Sequence, residues 1–472
     1  MDPCQLSGQN DPVIRMTNLM NIDKKTGQSR FFQAFWFRAA ALVLAAIICV
    51  AGFIIMYGDD ILNGYVKGKA ELAFAKEYPG GSLRIGELNY NIAANRLVVL
   101  AATINTTNAT LKAGRITLTG IRWARLLWGK SATADLLAKA SLGAENLDME
   151  FPRSHYAIRC ARLRASAPAS ELMAEGISFL PLIADEAIFA QTFRTTRFRV
   201  LMPECRVSGL DYGELFKGKS YRAGSISIIR PSFDALVDRY KPLAPFVKSP
   251  LMPLEALAKI PKPLQVDSLG ITNGHLKYSE QVAPGAAPGV LTISTVNISV
   301  QGIANQAKAP AAIQLRMQGN LMDAGLIKVL MTIPLASREF SLNYSGSLGE
   351  MDLTRLDAFL SIAEHLRIKS GRAQEVTFKI DVTGGQAHGR VKAVYKDLKI
   401  AVRDELTGSE RGLKSQFASF LMNTFKVQDS KGRDAAGIIR EAEVKYTRKP
   451  EDEFLQFVWF ALRSGILTVI SF

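Results

Sequence analysis

Arg96-Leu-Val-Val-Leu-Ala-Ala-Thr-Ile104 and, after a short polar turn, Ala109-Thr-Leu-Lys-Ala-Gly-Arg-Ile-Thr-Leu-Thr119 form the stretch that decides the fold. Apolar and polar residues alternate in both segments, and a period of two is typical of strands with one buried face. Residues 83–90, just before them, follow the same pattern. The three segments therefore predict a meander of antiparallel strands.

The same pattern recurs through most of the chain. Further strands are predicted at residues 156–164, 185–191, 194–202, 221–229, 264–271, 275–279, 289–300, 312–317, 327–333, 340–347, 375–382 and 389–402. One helix is predicted at residues 62–78 and another near 352–366, where Asp352 is a suitable N-cap. The predicted fold class is mainly β, with an elongated antiparallel body and a few short helices.

An internal repeat indicates that this body grows by adding similar units. Leu118-Thr-Gly-Ile-Arg-Trp-Ala-Arg-Leu-Leu-Trp-Gly-Lys-Ser131 aligns without a gap to Val207-Ser-Gly-Leu-Asp-Tyr-Gly-Glu-Leu-Phe-Lys-Gly-Lys-Ser220. Both copies run from a strand end, through Gly and an aromatic helical turn, to Gly-Lys-Ser and a new strand. A repeat-built β body is therefore favoured over two unrelated folds.

The second copy also satisfies the nucleotide-binding pattern GxxxxGK[ST], at residues 213–220. A phosphate loop needs a strand before it and a helix that begins at the Lys. Here the order is reversed, because the apolar turn Leu215-Phe216 precedes the Gly and a predicted strand follows Ser220. A structural corner is the favoured interpretation.

One apolar segment precedes the β body. Residues 39–57 are 19 residues without a charge, and about 20 helical residues cross a hydrocarbon core. Arg30 and Arg38 lie before this segment, together with an aromatic cluster, and Asp59 and Asp60 follow it. This distribution predicts one transmembrane helix with a cytoplasmic N-terminus. The alternative is a buried helix of a soluble core.

The predicted organisation has five parts. They are a cytoplasmic tail at 1–38, the transmembrane helix at 39–57, a first β module at 58–240, a connection at 241–263 and a second β module at 264–472. The connection contains six prolines, which cannot donate to a sheet. The second module ends in an apolar run, residues 454–472, which either closes the β body or lies on a bilayer surface.

The charge balance indicates which partners to expect. The chain has 58 Lys+Arg against 43 Asp+Glu, a net charge of +15, and basic proteins meet phosphate on nucleic acids or on lipid head groups. The basic residues are scattered and form no nucleic-acid-binding motif, so nucleic acid is not an expected partner.

No constellation of residues predicts catalysis. His155, His275, His365 and His388 are far apart, and no metal-binding or hydrolase motif occurs. We therefore expect no metal, no cofactor and no catalytic residue, and a protein that is not an enzyme. An oxidising compartment would permit a disulfide between Cys160 and Cys205, with two reduced thiols as the favoured alternative.

One-sided apolar stripes supply the candidate binding residues. They are Ile85, Leu97, Val99, Ile116, Leu118, Ile226 and Ile228. Such a stripe could line a groove that shelters acyl chains, where each buried CH₂ contributes about 0.8 kcal/mol. An ordinary closed sandwich core predicts the same pattern, so both interpretations stay open.

Two stretches resemble the AsmA-like family of bacterial envelope proteins, in the branch labelled as a domain of unknown function. They are Pro263-Leu-Gln-Val-Asp-Ser-Leu-Gly-Ile-Thr-Asn-Gly-His-Leu-Lys-Tyr-Ser-Glu280 and Leu366-Arg-Ile-Lys-Ser-Gly-Arg-Ala-Gln-Glu-Val-Thr-Phe-Lys-Ile-Asp-Val382, continued by residues 389–400. The resemblance implies a single inner-membrane anchor, a periplasmic β body shaped as a groove or taco, and movement of phospholipid between the membranes. It supplies no catalytic residues.

Two non-enzymatic functions follow as expectations. The first is a lipid-handling protein that binds phospholipid in a hydrophobic β groove and contributes to envelope and outer-membrane homeostasis. The second is a scaffold or assembly factor for outer-membrane proteins, which would bind its clients along exposed strand edges.

Overall fold

Most of the described chain lies in one sheet of 20 strands. The computed structural model describes residues 67–91, 94–121, 137–245, 249–306, 311–337, 339–403, 410–411 and 438–470, all within one unit, Val50–Phe472. The predicted tail and transmembrane segment, and most of the first copy of the repeat, lie outside these ranges. Within these ranges, no helix has both the length and the apolar character that a membrane span requires.

The strands confirm that the protein is mainly β. They are β1 Ser82–Arg84, β2 Glu87–Asn91, β3 Arg96–Asn105, β4 Thr110–Thr119, β5 Ser141–Phe151, β6 Tyr156–Ser166, β7 Glu171–Pro181, β8 Thr196–Ser208, β9 Tyr221–Ile229, β10 Ser232–Asp238, β11 Leu264–Gln281, β12 Gly289–Ala304, β13 Ala312–Leu321, β14 Gly325–Pro334, β15 Leu342–Leu348, β16 Met351–Asp352, β17 Leu366–Thr383, β18 Gln386–Arg403, β19 Glu410–Arg411 and β20 Ile438–Thr447.

The helices of the described ranges are short, except the last. They are α1 Lys67–Glu77, α2 Asp185–Ile188, α3 Tyr212–Phe216, α4 Pro253–Ala258, α5 Asp357–Ala363, which follows a 3₁₀ turn at Leu353–Leu356, and α6 Phe454–Ile470. Residues 185–191, predicted as a strand, begin with α2 instead. This prediction was wrong: Asp185 at the start of α2 pairs with the buried guanidinium group of Arg197 on β8, a long-range contact that the local pattern does not show.

The sheet is mixed, whereas the sequence predicts antiparallel strands throughout. β9 and β10 together occupy one position in the sheet, since β8 pairs with both of them on one side and β11 with both on the other. β11 runs parallel to them, and parallel neighbours must begin at the same edge of a sheet. The proline-rich residues 241–263 lie in the crossover that returns the chain to that edge. Ladder hydrogen bonds thus connect strands from before and after this segment.

A line of backbone irregularities crosses the sheet at one level of the strands. We call it the crease; its residues are Ala101, Gly114, Asn146, Ala161, Gly176, Pro203, Arg230, Asn273 and Thr295. Six of the nine, on alternating strands for the most part, have positive φ: 52° at Ala101, 53° at Asn146, 64° at Gly176, 52° at Arg230, 54° at Asn273 and 48° at Thr295. From β3 to β8 each pair of neighbouring strands leaves residues at this level unpaired and then resumes the same register. Register shifts occur at this level between β11 and β12 and between β12 and β13. The ladder is therefore interrupted at a common level.

At the crease, the alternation of buried and exposed side chains along a strand shifts by one residue. The apolar side chains before and after the crease therefore lie on one face. Along β3 the buried residues are Leu97 and Val99 before the crease, and Ala102 and Ile104 after it. Without the irregularity at Ala101, the last two would point to the opposite face. We call the side of the sheet that holds these residues the apolar face, and the other side the polar face.

Helices cover the apolar face toward the end of the chain. Phe457 and Ala461 of α6 are 0% exposed, and an ideal Cβ on Gly465 would lie 2.7 Å from Cγ2 of both Val391 and Val444. Leu254 and Leu257 of α4, in the crossover, pack against the same core. The apolar run near the C-terminus therefore forms a helix packed on β18 and β20.

Candidate functional site

Two adjacent rows of apolar side chains run across the sheet below the crease. In the register of the strands, directly paired residues share a face. The first row is Leu88, Val99, Ile116, Ala144, Leu163, Ala174, Cys205, Ile228, Ile271, Ile298, Met317 and Val329. The second is Leu97, Leu118, Leu142, Ala165, Leu172, Val207, Ile226, Leu269, Val300, Leu315 and Met331.

Six of the seven candidate residues from the sequence fall on these rows. Val99, Ile116 and Ile228 belong to the first row. Leu97, Leu118 and Ile226 belong to the second. Ile85 lies apart, after β1, where its backbone N–H donates a hydrogen bond of 2.8 Å to Oε1 of Glu71 on α1.

Burial along the rows divides the apolar face into covered ends and a half-buried middle. At one end Leu88, Leu97 and Leu118 are at most 1% exposed. On β6–β9, which are described in full, the buried apolar residues are three alanines, Ala157, Ala174 and Ala223. On the apolar face of these four strands, the large aliphatic side chains and the Phe rings are only half-buried: Ile158, Leu163, Leu172, Ile177, Phe179, Phe198, Val200, Met202, Val207, Ile226 and Ile228.

We call this half-buried middle the central apolar surface. Its residues are of the apolar types found in protein cores, but they are less buried than core residues. Each therefore retains apolar area in contact with water. Removing that area from water would contribute about 25 cal/mol per Å². A continuous apolar surface usually marks a site of interaction, whereas single exposed apolar residues do not.

Two thiols interrupt the aliphatic character of the central apolar surface. Cys160 and Cys205 are both half-buried free cysteines, and burial raises the pKa of each. β7 lies between their strands, which places the two Cα atoms at least two strand spacings, about 9–10 Å, apart. A disulfide needs about 4.4–6.8 Å. The disulfide allowed by the sequence is therefore not formed.

Above the crease the apolar face carries aromatic rings. Val200, Phe233 and Leu276 form one row, and Phe198, Ala235 and Tyr278 the next. The rings of Phe198 and Phe233 lie 5.9 Å apart, and Phe233 remains 37% exposed.

A cluster of charged groups ends these rows at the edge of the sheet. We call it the rim cluster; its residues are Arg239, Tyr278, Glu280, Glu364 and Arg463. Arg239 Nη1 donates to Oε2 of Glu280 and, at 3.2 Å, to the carbonyl of Ala363. The Tyr278 hydroxyl donates to Oε1 of Glu280 at 2.6 Å, and Arg463 Nη2 on α6 donates to Glu364.

The pKa shifts in the rim cluster arise mainly from the burial of its side chains. Burial raises the pKa of Glu364, against the opposing effect of Arg463 and Arg239. Burial also raises the pKa of Tyr278, and the neighbouring Glu280 raises it further. The tyrosine hydroxyl therefore stays a neutral donor, while the two guanidinium groups compensate the two carboxylates.

A cavity of about 690 Å³ lies on the polar face of β11–β15. Its lining includes Ile271, Ile298, Met317 and Val329 of the first row, together with exposed or half-exposed side chains of the flanking rows. Those side chains are Thr272, Asn297, Ser299, Arg316, Gln318, Lys328, Leu330, Ser345 and Ser347. This cavity is therefore separate from the central apolar surface.

The GxxxxGK[ST] segment is a corner whose amides are already in use. The backbone N–H groups of Lys217, Gly218 and Lys219 donate to carbonyls of Gly213, Leu215 and Glu214, respectively, at 3.0–3.2 Å. α3 precedes Gly218 and β9 follows Ser220. Because a phosphate loop presents free amides at the start of a helix, this segment is not built as one.

In the ranges that the structure describes, no group of three or more His, Cys, Asp and Glu side chains could hold a metal ion. Comparisons with protein-family models and with curated proteins find no match to the chain.

Sequence patterns missed several residues of the central apolar surface. Leu172, Ile177 and Phe179 belong to β7, which was not predicted because Gly176 at the crease interrupts its alternation. The signal that could have found β7 is the pair of short apolar runs on either side of that Gly.

Proposed function

We propose that this protein is a membrane-anchored, periplasmic, non-enzymatic protein that binds or conducts phospholipid along a hydrophobic β groove. In that role it contributes to envelope and outer-membrane homeostasis. The observation that supports the proposal best is the central apolar surface, which continues across β6–β9 between two covered ends. Acyl chains lying on it would remove from water the apolar area that the protein leaves half-exposed.

The crease supports the groove part of the proposal. Positive-φ residues and an interrupted ladder at one level from β3 to β12 would let the sheet fold along that line, and such a fold would make a trough that runs across the strands. The two apolar rows follow the same direction. A chain-like apolar ligand would therefore meet similar side chains along its whole path, which suits lateral movement better than fixation at one point.

Site-specific photo-crosslinking tests this function in the full-length protein in its native membrane. A photoreactive amino acid at Ile228 would project from the apolar face, and the same residue at Ser227 would project from the polar face of β9. We expect lipid adducts, identified by mass spectrometry, at Ile228 and not at Ser227. Equal labelling at both positions, or no lipid adduct at Ile228, would contradict the proposal.

Assembly of outer-membrane proteins by strand addition has no specific support in β20, the described strand at the C-terminal edge of the sheet. Ladder bonds of β20 run to β18, and its outer side chains include Glu441, Glu443 and Lys445. Charged side chains on an edge strand disfavour pairing with a further strand. Protein adducts from a photoreactive amino acid at Glu443 of β20 would revive this alternative.

A further inference from the structure

The rim cluster lies where the apolar face ends, next to the aromatic rows. Leu276, Tyr278 and Glu280 follow one another on the apolar face of β11. The rise of a strand, about 3.3 Å per residue, places Glu280 about 13 Å beyond Leu276. Along β11, apolar side chains are therefore followed by charged ones over a distance shorter than an extended acyl chain.

The charges in the rim cluster are layered. The carboxylates are the deeper groups, with side chains 9% exposed for Glu280 and 10% for Glu364. The guanidinium groups are the shallower ones, at 37% for Arg239 and 29% for Arg463. A ligand that approaches from the open side therefore meets cations first, with anions behind them.

Both arginines have N–H groups that are not used in their hydrogen bonds to the described protein atoms. A guanidinium group has five N–H donors, and the bonds that Arg239 makes to protein atoms in the described ranges all start from Nη1. Arg463 donates from Nη2 to Glu364. The remaining donors match the fork geometry by which arginine binds phosphate.

We propose that the rim cluster binds the head group of a zwitterionic phospholipid whose acyl chains lie on the apolar face. Its phosphate accepts hydrogen bonds from Arg239 and Arg463, and its ammonium group lies against Glu280 or Glu364. This inference rests on the proposed function, because it assigns the polar end of the same ligand. It also explains why ions border a face that is otherwise apolar along β11.

Paired ligands with and without a head group test the assignment. The probes are phosphatidylethanolamine and diacylglycerol with the same fluorescent acyl chain, added to the purified full-length protein. We expect Arg239→Gln with Arg463→Gln to weaken phosphatidylethanolamine binding at least about tenfold and to leave diacylglycerol binding unchanged. Arg390→Gln is the matched control, because Arg390 is a 75% exposed arginine of the polar face.

The outcomes separate the two proposals. Equal loss of both lipids in the double variant would assign a structural role to the arginines and overturn the head-group site. Unchanged binding of phosphatidylethanolamine would overturn it as well. Arg239→Lys, which preserves the charge opposite Glu280, guards against a folding defect and should retain partial selectivity. If the unmodified protein binds neither lipid, the proposed function itself fails, and the head-group site with it.

Discussion

An ideal Cβ on Gly176 of β7 would lie 2.9 Å from the Cβ of Ala161 on β6. Two residues of the crease thus approach each other so closely that one of them must lack a side chain. Gly176 also has a φ of 64°, a conformation that costs other residues about 1–2 kcal/mol.

Gly176→Ala should therefore destabilise the protein by about 2–3 kcal/mol, since backbone strain and overpacking act together. Denaturant unfolding of the purified protein would measure the change. Gly270→Ala is the control, because a Cβ at Gly270 meets no atom within 4 Å; it should be neutral or slightly stabilising. Equal effects of the two substitutions would contradict the steric account of the crease.

Phe457 holds α6 against the sheet. It is 0% exposed and its ring lies 5.1 Å from that of Phe340. Phe457→Ala should cost about 3–5 kcal/mol of unfolding free energy, because it leaves a cavity in the core. Leu455→Ala, at a position 70% exposed on the same helix, should stay within about 0.5 kcal/mol. A small effect of Phe457→Ala would show that α6 contributes little to stability.

Gly465 allows α6 to approach β18 and β20 closely. Alanine is the better helix former by about 1 kcal/mol, yet its Cβ would lie 2.7 Å from methyl groups of Val391 and Val444. Overpacking of about 1–3 kcal/mol should prevail, so Gly465→Ala is expected to lower the melting temperature. Ser464→Ala, next to it, should not lower it. A stabilised Gly465→Ala protein would mean that the helix shifts at little cost.

The thiols of Cys160 and Cys205 report directly on the central apolar surface. Burial raises their pKa, so at a given pH a smaller fraction is thiolate than for an exposed cysteine. Alkylation rates, followed by peptide mass spectrometry, should be slow at pH 8 and still rise above pH 9. Added phospholipid should slow both reactions, but not the reaction of a Ser227→Cys control. Protection of the control alone would place the lipid on the polar face.

Mild oxidation should not join Cys160 to Cys205. β7 separates their strands, and closing a disulfide would require removal of that strand from the sheet. Mass spectrometry of the oxidised monomer, digested without reduction, should therefore show no peptides joined through Cys160 and Cys205. Rapid formation of the disulfide would indicate that β6 and β8 come together without β7.

The sequence by itself determined that the protein is mainly β, and which side chains share the apolar face of several strands. Alternation is a local property, because successive side chains of a strand point to opposite faces whatever its neighbours are. For this reason Leu97, Val99, Ile116 and Leu118 could be placed on one face from their spacing alone. The reversed order of turn and strand around Gly218 likewise predicted a corner instead of a phosphate loop.

Only the tertiary structure decided which parts of that face are covered. Burial depends on residues distant in the chain: α6 covers β18 and β20, whereas Ile226 and Ile228 are left half-buried. The crease was equally hidden, since residues such as Asn146 and Gly176 weaken the alternation from which β5 and β7 would be recognised. Local patterns select strands and faces, but long-range packing selects between a closed core and an accessible surface, and the same apolar residues serve both.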